Sequence, residues 1–381
     1  MAKNSLRISS ARLMTDLREL SYIGGRPDGG VDRTAGSPAD LEARKWLHKR
    51  IGEAGLEPWT DQVNNVFGRA EASQGPWLLV GSHTDTVPSG GWLDGAYGVI
   101  AGLEVVRTLI EANHPAAAQI ELVSFHDEEG TGPGGGLAGS RFLATTAHVQ
   151  QLSGYMELHI EQGPRLEAEK KDLGVVLGIV GVTQLTVEIY GEANHAGTTP
   201  LAMRRDSGLV LASIWARLNA LVESIDTSMV ATIGAVDLEP GAANVVPGVA
   251  RFTIDFRGQS EERLQLLENH LYDLIERHSK AAGCTSKVSI RQKVPPAVMD
   301  PGFIDILTAA CKRSGQAWTT IWSGAGHDAG VLAKRVPTAM LFVPSTSGVS
   351  HSPREDTPEF NLSLGAQLLL EAAVVCATRE L

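Results

Sequence analysis

Cysteine is scarce in this 381-residue chain, which has only Cys284, Cys311 and Cys376. The three lie far apart without a CxxC pair, which argues against a disulfide framework and a zinc-finger type of site. Reduced, buried thiols are typical of cytoplasmic proteins. The N-terminus also lacks an apolar segment of signal-peptide length, so we expect a cytoplasmic location.

Basic clusters and long apolar runs are also missing. Lys and Arg total 33 against 44 Asp and Glu, a net charge of −11, and no basic block stands out. We therefore expect no nucleic-acid partner, because phosphate binding needs concentrated positive charge. No apolar run of about 18 residues occurs, so we predict no membrane span. The length allows two or three domains of a globular protein.

The first half of the chain predicts parallel strands joined by a helix. "PWLLV" and "QIELVSF" have the character of buried strands, and "GVIAGLEVVRTLIEA" between them repeats apolar residues at helical spacing. This order indicates a crossover between parallel strands. Side chains that follow the two strands should then meet at one sheet edge, where α/β proteins bind ligands. "SPADLEARKWLHKRIGEAG" predicts an earlier helix capped by Ser37.

The middle of the chain changes character. Strands and helices there follow the order βαββαβ, which is the ferredoxin-like pattern. The α/β pattern resumes afterwards with a helix over 301–314 and a closing helix near 361–379. We therefore predict an α/β protein of two domains: a mixed-sheet domain of residues 1–181 and 294–381, and an inserted domain of residues 182–293.

Candidate metal ligands follow the predicted strands or lie in glycine-rich loops, where functional sites concentrate. Imidazole and carboxylate ligands together suit Zn²⁺, Mn²⁺, Co²⁺ or Ni²⁺. A carboxylate can bridge two ions, which lie about 3.5–4 Å apart in two-metal sites. The five candidates are His83, Asp94, Glu129, His159 and His351.

Two further carboxylates accompany these ligands. Glu128 precedes Glu129, and on a turning chain one can bind metal while the other takes a proton from water. Asp85 lies two residues after His83, on the same side of an extended chain, and can hold the other imidazole nitrogen. Both features also have ordinary interpretations, as a solvated pair and a structural HxD. Five histidines outside such loops are assigned to surfaces: His48, His114, His148, His270 and His278.

Ten short motifs occur along the chain: "GSHTDTV", "LDGAYGVIAGLEV", "FHDEEG", "GSR", "LHIEQGP", "GEANHAGTTP", "NVVPG", "DFR", "GAGHDA" and "SGVSHSPRED". In this order they resemble the hydantoinase/carbamoylase family, a branch of the aminoacylase-like dinuclear metallohydrolases, over nearly the whole chain. That family includes N-carbamoyl-L-amino acid hydrolases, β-ureidopropionases and allantoate amidohydrolases. The resemblance implies a metallohydrolase domain of mixed-sheet α/β fold with an inserted ferredoxin-like lid and dimerisation domain.

The resemblance also implies two divalent metal ions per subunit. One ion would be held by His83, Asp94 and His159. The other would be held by Asp94, Glu129 and His351, with Asp94 bridging the two.

A base, a lid and a pocket are implied in the same way. Glu128 would be the general base and acid, and His195 would stabilise the developing oxyanion. Arg257, on the alternating strand "RFTIDFR", can grip a substrate carboxylate with two hydrogen bonds. The lid would join two subunits as a homodimer. The residues implied to contact substrate, within one subunit or across the dimer, are Gln162, His195, Asn244, Arg257, Gly326 and His327.

These features predict an amidohydrolase that cleaves the ureido C–N bond of an N-carbamoyl-L-amino acid to amino acid, CO₂ and ammonia. The ions would lower the pKa of a water molecule, and Glu128 would pass its proton to the leaving nitrogen. Allantoate, β-ureidopropionate, and N-acyl amino acids or dipeptides are alternative substrates, because Arg257 indicates only a carboxylate. The glycine-rich segment 130–139 departs from the family pattern and bears on substrate identity.

Two rival functions fit single features of the sequence. "GTGPGG" satisfies G-x-G-x-x-G, a weak sign of dinucleotide binding. Glu128 and Glu129 would repel a pyrophosphate there, and Pro133 lies within the turn. The other rival is a metal-binding scaffold without activity, against which the complete ligand set beside Glu128 argues.

Overall fold

The computed structural model describes residues 6–71, 73 and 75–378. The chain divides into two compact units, one of Met1–Gly178 with Val298–Leu381 and one of Ile179–Ala297. The predicted domain boundaries fall close to these limits. The predicted end of the closing helix at residue 379, and both ends of the predicted first domain, lie outside the described residues.

The elements are numbered in chain order. In the described part of the chain the helices are α1 (Ser10–Tyr22), α2 (Pro38–Glu53), α3 (Ala96–Glu111), α4 (Ala138–Leu143), α5 (Arg165–Ala168), α6 (Ser207–Ile225), α7 (Glu261–Ala281), α8 (Pro301–Ser314), α9 (Asp328–Leu332) and α10 (Glu359–Ala377). The strands are β1 (Glu57–Thr60), β2 (Val66–Arg69), β3 (Trp77–His83), β4 (Ile120–Phe125), β5 (Leu152–Ile160), β6 (Leu173–Ile179), β7 (Gly181–Tyr190), β8 (Asn194–His195), β9 (Val230–Glu239), β10 (Val245–Val246), β11 (Val249–Gly258), β12 (Thr285–Val294), β13 (Ala297–Val298), β14 (Trp318–Ser323) and β15 (Thr338–Val343).

The larger unit is built on a mixed sheet whose strand order runs β1-β2-β4-β3-β5-β15-β6, with β14 beside β6. Strand β3 pairs in parallel with β4 and β5, and β15 pairs in parallel with β5. Strand β1 pairs antiparallel with β2, β2 with β4, and β6 with β15. The predicted mixed α/β class is confirmed. The carboxyl ends of β3, β4, β5 and β15 share one sheet edge, which is where such folds place ligands.

Helices α1, α2, α3, α8 and α10 pack their apolar side chains with those of the sheet into one core. Helix α2 begins as predicted, because the Ser37 hydroxyl accepts a hydrogen bond from the backbone N–H of Asp40 at 3.2 Å. Such a cap stabilises a helix by about 1 kcal/mol. Helix α3 is buried around almost its whole circumference, between the sheet and helices α1 and α10. The apolar spacing of "GVIAGLEVVRTLIEA" therefore predicted this helix correctly.

The smaller unit is a four-stranded antiparallel sheet of order β12-β7-β11-β9. Its apolar core combines these strands with helices α6 and α7. In β11, Phe252, Ile254 and Phe256 are buried, whereas Arg251 and Arg257 lie on the opposite, partly exposed face. The βαββαβ order and the strand order are those of a ferredoxin-like unit, as predicted.

Helices α6 and α10 are long and apolar enough to cross a membrane by length and composition alone. Within its most apolar window, α10 is 61% buried and α6 is 28% buried. Both contribute side chains to the core of their own unit, and core helices commonly pass this test. The signal is weak, and the absence of a membrane span stays a prediction.

Candidate metal centre

The five predicted metal ligands come from loops and strand ends at one edge of the large sheet. His83 ends β3, and Asp94 lies in the loop before α3. Glu129 follows β4, His159 is next to last in β5, and His351 lies between β15 and α10. Their ligand atoms form two groups, each within 4.8 Å. The first ligand group is His83, Asp94 and His159, and the second ligand group is Asp94, Glu129 and His351.

The two carboxylate oxygens of Asp94 face the two groups separately. Oδ1 lies 3.1 Å from Nε2 of His159 and 3.8 Å from Nε2 of His83. Oδ2 lies 3.1 Å from Nε2 of His351, which is itself 3.4 Å from Oε2 of Glu129. One carboxylate thus joins both groups, which is the arrangement needed for a bridge between two ions.

His83 and His159 both direct Nε2 toward Asp94. Nδ1 of His83 lies 3.1 Å from the backbone oxygen of Asp85, and Nδ1 of His159 lies 2.8 Å from that of Ile160. A carbonyl oxygen only accepts, so each Nδ1 carries a proton and Nε2 of the neutral ring has a lone pair. This fixed tautomer is the one that binds a metal through Nε2.

The carboxylates of the centre oppose one another's ionisation. Burial, followed by the charges of Asp328 and Glu129, raises the pKa of Glu128 well above its usual range. Burial and the charge of Asp94 raise the pKa of Glu129 to about 8. Divalent cations would relieve this repulsion, because opposite charge favours the ionised form.

The residues of both groups fit two divalent metal ions. Within the described residues, Oε1 of Glu129 is buried and accepts no hydrogen bond. Burial lowers the pKa of His83 to about 4, which leaves its ring neutral at pH 7. Three imidazoles and two carboxylates suit Zn²⁺, Mn²⁺, Co²⁺ or Ni²⁺. Against the opposing effect of burial, the hydrogen bond to Asp94 raises the pKa of His159 to about 9, and it also raises the pKa of His351 to about 9. Metal binding at these two rings would therefore release protons.

The Asp85 side chain differs from its prediction. Its Oδ1 lies 3.7 Å from Nδ1 of His83, too far for a hydrogen bond, and its backbone oxygen contacts that nitrogen instead. The carboxylate accepts hydrogen bonds from the backbone N–H groups of Glu128 and Glu129, at 3.4 and 3.2 Å. The prediction assumed an extended chain, but β3 ends at His83. The Asp85 carboxylate therefore orients the backbone of Glu128 and Glu129.

Glu128 belongs to neither ligand group. Its Oε2 lies 3.6 Å from Nε2 of His83, and its side chain is 9% exposed. Beside it, Glu129 turns its own Oε2 to His351. The predicted divergence of the two neighbouring glutamates is thus present in the structure, and it leaves the Glu128 carboxylate outside both ligand groups.

Gln162 contacts the second ligand group. Its Nε2 donates to Oδ2 of Asp94 at 2.7 Å and lies 3.4 Å from Nε2 of His351. His327 is instead buried behind the first group, with its ring centroid 4.6 Å from that of His159. The structure therefore places Gln162 beside the ligands, His327 beneath them, and the neighbouring Gly326 at the surface.

The other predicted substrate residues belong to the smaller unit. His195 and Asn244 are exposed and close to each other, because β8 pairs with β10 and the backbone N–H of Ala196 donates to the backbone oxygen of Asn244. Nδ1 of His195 accepts from backbone N–H groups, so its neutral ring carries the proton on Nε2. Arg257 donates through Nε to Asp255 at 3.0 Å. Substrate binding by all three stays a prediction.

Several buried residues around the ligands were not predicted. Glu157 accepts hydrogen bonds from the Ser82 hydroxyl at 2.7 Å and from the N–H of Ala329 at 3.1 Å. It forms a third group of possible ligand atoms with His159 and His327. Because side chains two apart on a strand share a face, its position two residues before His159 could have revealed it.

Glu355 was also missed, although it stands four residues after His351 in the motif "SGVSHSPRED". Its Oε1 accepts hydrogen bonds from the backbone N–H groups of Leu93 and Asp94, at 2.9 and 3.0 Å. Only its place within the motif could have singled it out, because its partners lie 262 and 261 residues earlier in the chain.

The glycine-rich segment 130–139 folds around Asp127, which is 1% exposed. The backbone N–H groups of Gly132 and Gly134 donate to the two carboxylate oxygens of Asp127 at 2.9 and 3.1 Å. These amides therefore already bind an anion that belongs to the chain. This contact removes the structural basis for a dinucleotide site at "GTGPGG".

Gly95 leaves room for the His83 imidazole. A Cβ at Gly95 would lie 2.3 Å from Cε1 of that ring, and the backbone φ of 64° is left-handed. We expect Gly95→Ala to displace the imidazole and to weaken binding of one ion by about 10–100-fold. Calorimetric titration of metal into metal-free protein measures this change.

Gly315→Ala is the matched control for Gly95→Ala. Its φ of 71° is also left-handed, but nothing lies within 4 Å of the added Cβ. It should carry the strain of a positive φ without a steric clash, and it should leave metal affinity unchanged. Equal affinities in both variants would show that His83 does not need the space.

Comparisons with known proteins find relatives along nearly the whole chain. Residues 79–374 match peptidase family M20/M25/M40. The chain is 31% identical to an N-carbamoyl-L-amino-acid amidohydrolase of Pseudomonas sp. (strain NS671), covering 97% of this chain and 99% of that protein. It is 34% identical to the allantoate amidohydrolase of Escherichia coli (strain K12), covering 92% and 94%. A crystal structure of an amidase of the hydantoinase/carbamoylase family from Burkholderia multivorans has a TM-score of 0.91 and 32% identity, covering 99% of this chain and 100% of that one.

Proposed function

We propose, since this chain belongs to peptidase family M20/M25/M40, that it is a metal-dependent amidohydrolase acting on C–N bonds outside peptides. The predicted resemblance to the hydantoinase/carbamoylase family is confirmed by its relatives. The observation that carries the proposal is the pair of ligand groups joined by Asp94, with Glu128 buried beside them. The proposed substrate is an N-carbamoyl-L-amino acid, cleaved at its ureido C–N bond.

Glu128 is the residue we assign to proton transfer. When bound, two ions supply Lewis-acid chemistry that polarises a carbonyl group and lowers the pKa of a water molecule. Glu128 takes the proton of the attacking water and delivers it to the leaving nitrogen. Burial and the neighbouring carboxylates raise the pKa of Glu128, and bound cations would oppose this rise and favour the ionised form that acts as the base. Hydrolysis of one ureido C–N bond leaves a carbamic acid on the other nitrogen, and its spontaneous loss of CO₂ breaks the second C–N bond, so the products are the amino acid, CO₂ and ammonia.

Arg257 is proposed to bind the carboxylate of the substrate. We expect Arg257→Lys to lower kcat/KM by about 10–100-fold, mainly through KM, because a charge-assisted hydrogen bond contributes roughly 1.5–3 kcal/mol. Steady-state kinetics on the substrate found below measures the change. Arg251→Lys is the matched control, since Arg251 lies on the same face of β11 and pairs with Glu188. An equal loss in both variants would contradict the assignment.

The experiment that tests the proposed function is ammonia release by the protein reconstituted with Mn²⁺. The panel contains N-carbamoyl-L-amino acids, their D-enantiomers, N-carbamoyl-β-alanine and allantoate, with an N-acetyl amino acid and a dipeptide assayed for free amine. Ammonia from an N-carbamoyl-L-amino acid, and not from its enantiomer, supports the proposal. Free amine from the N-acetyl or dipeptide substrates alone would contradict it.

Allantoate is the second candidate substrate. The E. coli relative named for allantoate is 34% identical, against 31% for the Pseudomonas relative named for N-carbamoyl-L-amino acids. Both substrates carry a ureido group and a carboxylate, so the same site chemistry suits both. Ammonia from allantoate alone in the panel would assign the activity to it.

A homodimer in the cytoplasm completes the proposal. Exposed apolar side chains on the smaller unit support association, with Leu209 and Trp215 of α6 at 59% and 49% exposure. Edge strand β9 adds Val230 at 60% and Val236 at 42%. Edge strands and exposed apolar patches are the surfaces at which chains pair. Light scattering in solution measures the mass, and a monomer would contradict this part.

A further inference from the structure

Glu355 is a buried carboxylate to which the proposed reaction gives no role. It is 2% exposed and lies in the loop before α10. Its Oε1 accepts from the N–H groups of Leu93 and Asp94, and its backbone oxygen accepts from the indole N–H of Trp92 at 3.1 Å. These three hydrogen bonds therefore hold Glu355 to the loop that carries the shared ligand Asp94.

Ser350 connects this carboxylate to the second ligand group. Its hydroxyl lies 2.7 Å from Oε2 of Glu355 and 3.3 Å from Oδ2 of Asp94. The same Oδ2 faces Nε2 of His351, the residue that follows Ser350. The Ser350 hydroxyl thus lies between the carboxylates of Glu355 and Asp94. Its residue directly precedes the ligand His351 in the chain. These contacts link Glu355, Ser350 and Asp94 in a closed ring, the Glu355 ring, in which the hydroxyl donates its one hydrogen to one carboxylate at a time.

His351 depends on such support more than the other ligands do. Its side chain is 47% exposed, whereas those of His83 and His159 are 1% exposed and sit on strands. Its φ of 52° is left-handed. That conformation costs a non-glycine residue about 1–3 kcal/mol and persists only where neighbouring contacts enforce it. The second ligand group is therefore shaped by loop contacts, and the Glu355 ring supplies them.

Gly91 leaves the space that the Glu355 carboxylate occupies. A Cβ at Gly91 would lie 2.0 Å from Cδ of Glu355. The backbone of Gly91 has no positive φ, so the close approach and not the conformation calls for glycine. A methyl group there would displace the carboxylate without removing its charge.

We propose that Glu355 and Ser350 are positioning residues that set the placement of Asp94 relative to His351, and so govern the affinity of the second ligand group for its ion. Neither side chain is assigned as a ligand. They act through hydrogen bonds to the ligands and to the ligand-bearing loops, which is how outer contacts tune metal sites. This inference rests on the two-ion centre of the proposed function.

Calorimetric titration of Co²⁺ into metal-free protein, with visible absorption recorded in parallel, tests the inference. Ser350→Ala should weaken binding of one ion by about 10–100-fold and leave the other near its wild-type affinity. Ser350→Thr keeps the hydroxyl and should restore the lost affinity. Ser352→Ala is the matched control, because its hydroxyl accepts from the N–H of Arg354 at 3.3 Å, and it should bind both ions normally.

Gly91→Ala is the second variant, and it should show the same selective loss as Ser350→Ala. Two unchanged affinities in both variants would overturn the inference and leave the proposed function standing. Equal weakening of both ions, with a lower melting temperature of the metal-free protein, would also overturn it, because general damage and not positioning would be the cause. A wild-type protein that binds fewer than two ions would contradict the proposed centre itself, and the inference with it.

Discussion

Glu128→Gln is expected to bind both metal ions and to lose turnover by about 10²–10⁴-fold, the contribution typical of a general base. Glutamine keeps the volume and shape of the side chain, but it cannot accept the proton of the attacking water. The backbone N–H of residue 128 would still donate to Asp85, as it does at 3.4 Å in the structure. The loss should therefore appear in kcat and not in metal content.

Two measurements on the same preparation check this expectation. Metal content is determined by atomic emission, and kcat is determined on the substrate that the ammonia panel identifies. Glu129→Gln is the matched control, because it makes the same chemical change one residue later in a ligand whose Oε2 faces His351. That control should lose affinity for one ion. Near-normal turnover in Glu128→Gln would show that another group moves the proton.

The parts of the fold that the sequence predicted are those with a local pattern. Helix α3 and its two flanking strands follow from apolar spacing within a short segment, and Ser37 caps α2 through a contact three residues away. The ferredoxin-like unit follows from the order of its elements. Parallel pairing of β3 and β4 then brings His83 and Glu129 to one edge without further information. Short-range periodicity and topology therefore suffice to place these ligands.

The parts that the sequence did not predict depend on loop conformation and long-range contacts. The Asp85 carboxylate turns to the glutamate amides because the chain leaves β3 before reaching it. Glu355 contacts a loop whose Leu93 lies 262 residues earlier in the chain. No periodicity encodes either contact.

His148 shows the same limit in the larger unit. The sequence assigned it to the surface, but its side chain is mostly buried, with 16% exposure. Its Nε2 lies 2.6 Å from Oε2 of Glu121, which is fully buried. The rings of Trp59 and Trp77 also pack against it, with centroids at 5.4 and 5.7 Å. The buried carboxylate of Glu121 on β4 determines the position of His148. No residue near His148 in the sequence indicates this contact.

Asp94→Asn is expected to abolish binding of both ions and, with it, all metal-dependent turnover. Asp94 is the one residue that belongs to both the first and the second ligand group. The amide keeps the shape of the side chain, but it lacks the negative charge and presents one oxygen instead of two. Each ligand group would then lose its third, negatively charged ligand atom. The first group would keep His83 and His159, and the second would keep Glu129 and His351.

Melting temperature with and without added Zn²⁺ measures this loss independently of activity. A ligand that binds only the folded state at 100 times its Kd stabilises that state by about 2.7 kcal/mol, so wild-type protein should melt higher with metal. Asp94→Asn should have the same melting temperature with and without added Zn²⁺.

His83→Ala and His351→Ala are the comparison variants, and each should retain one ion and part of the stabilisation. If Asp94→Asn retained one ion as they do, the carboxylate would serve a single ligand group and could not be the bridge.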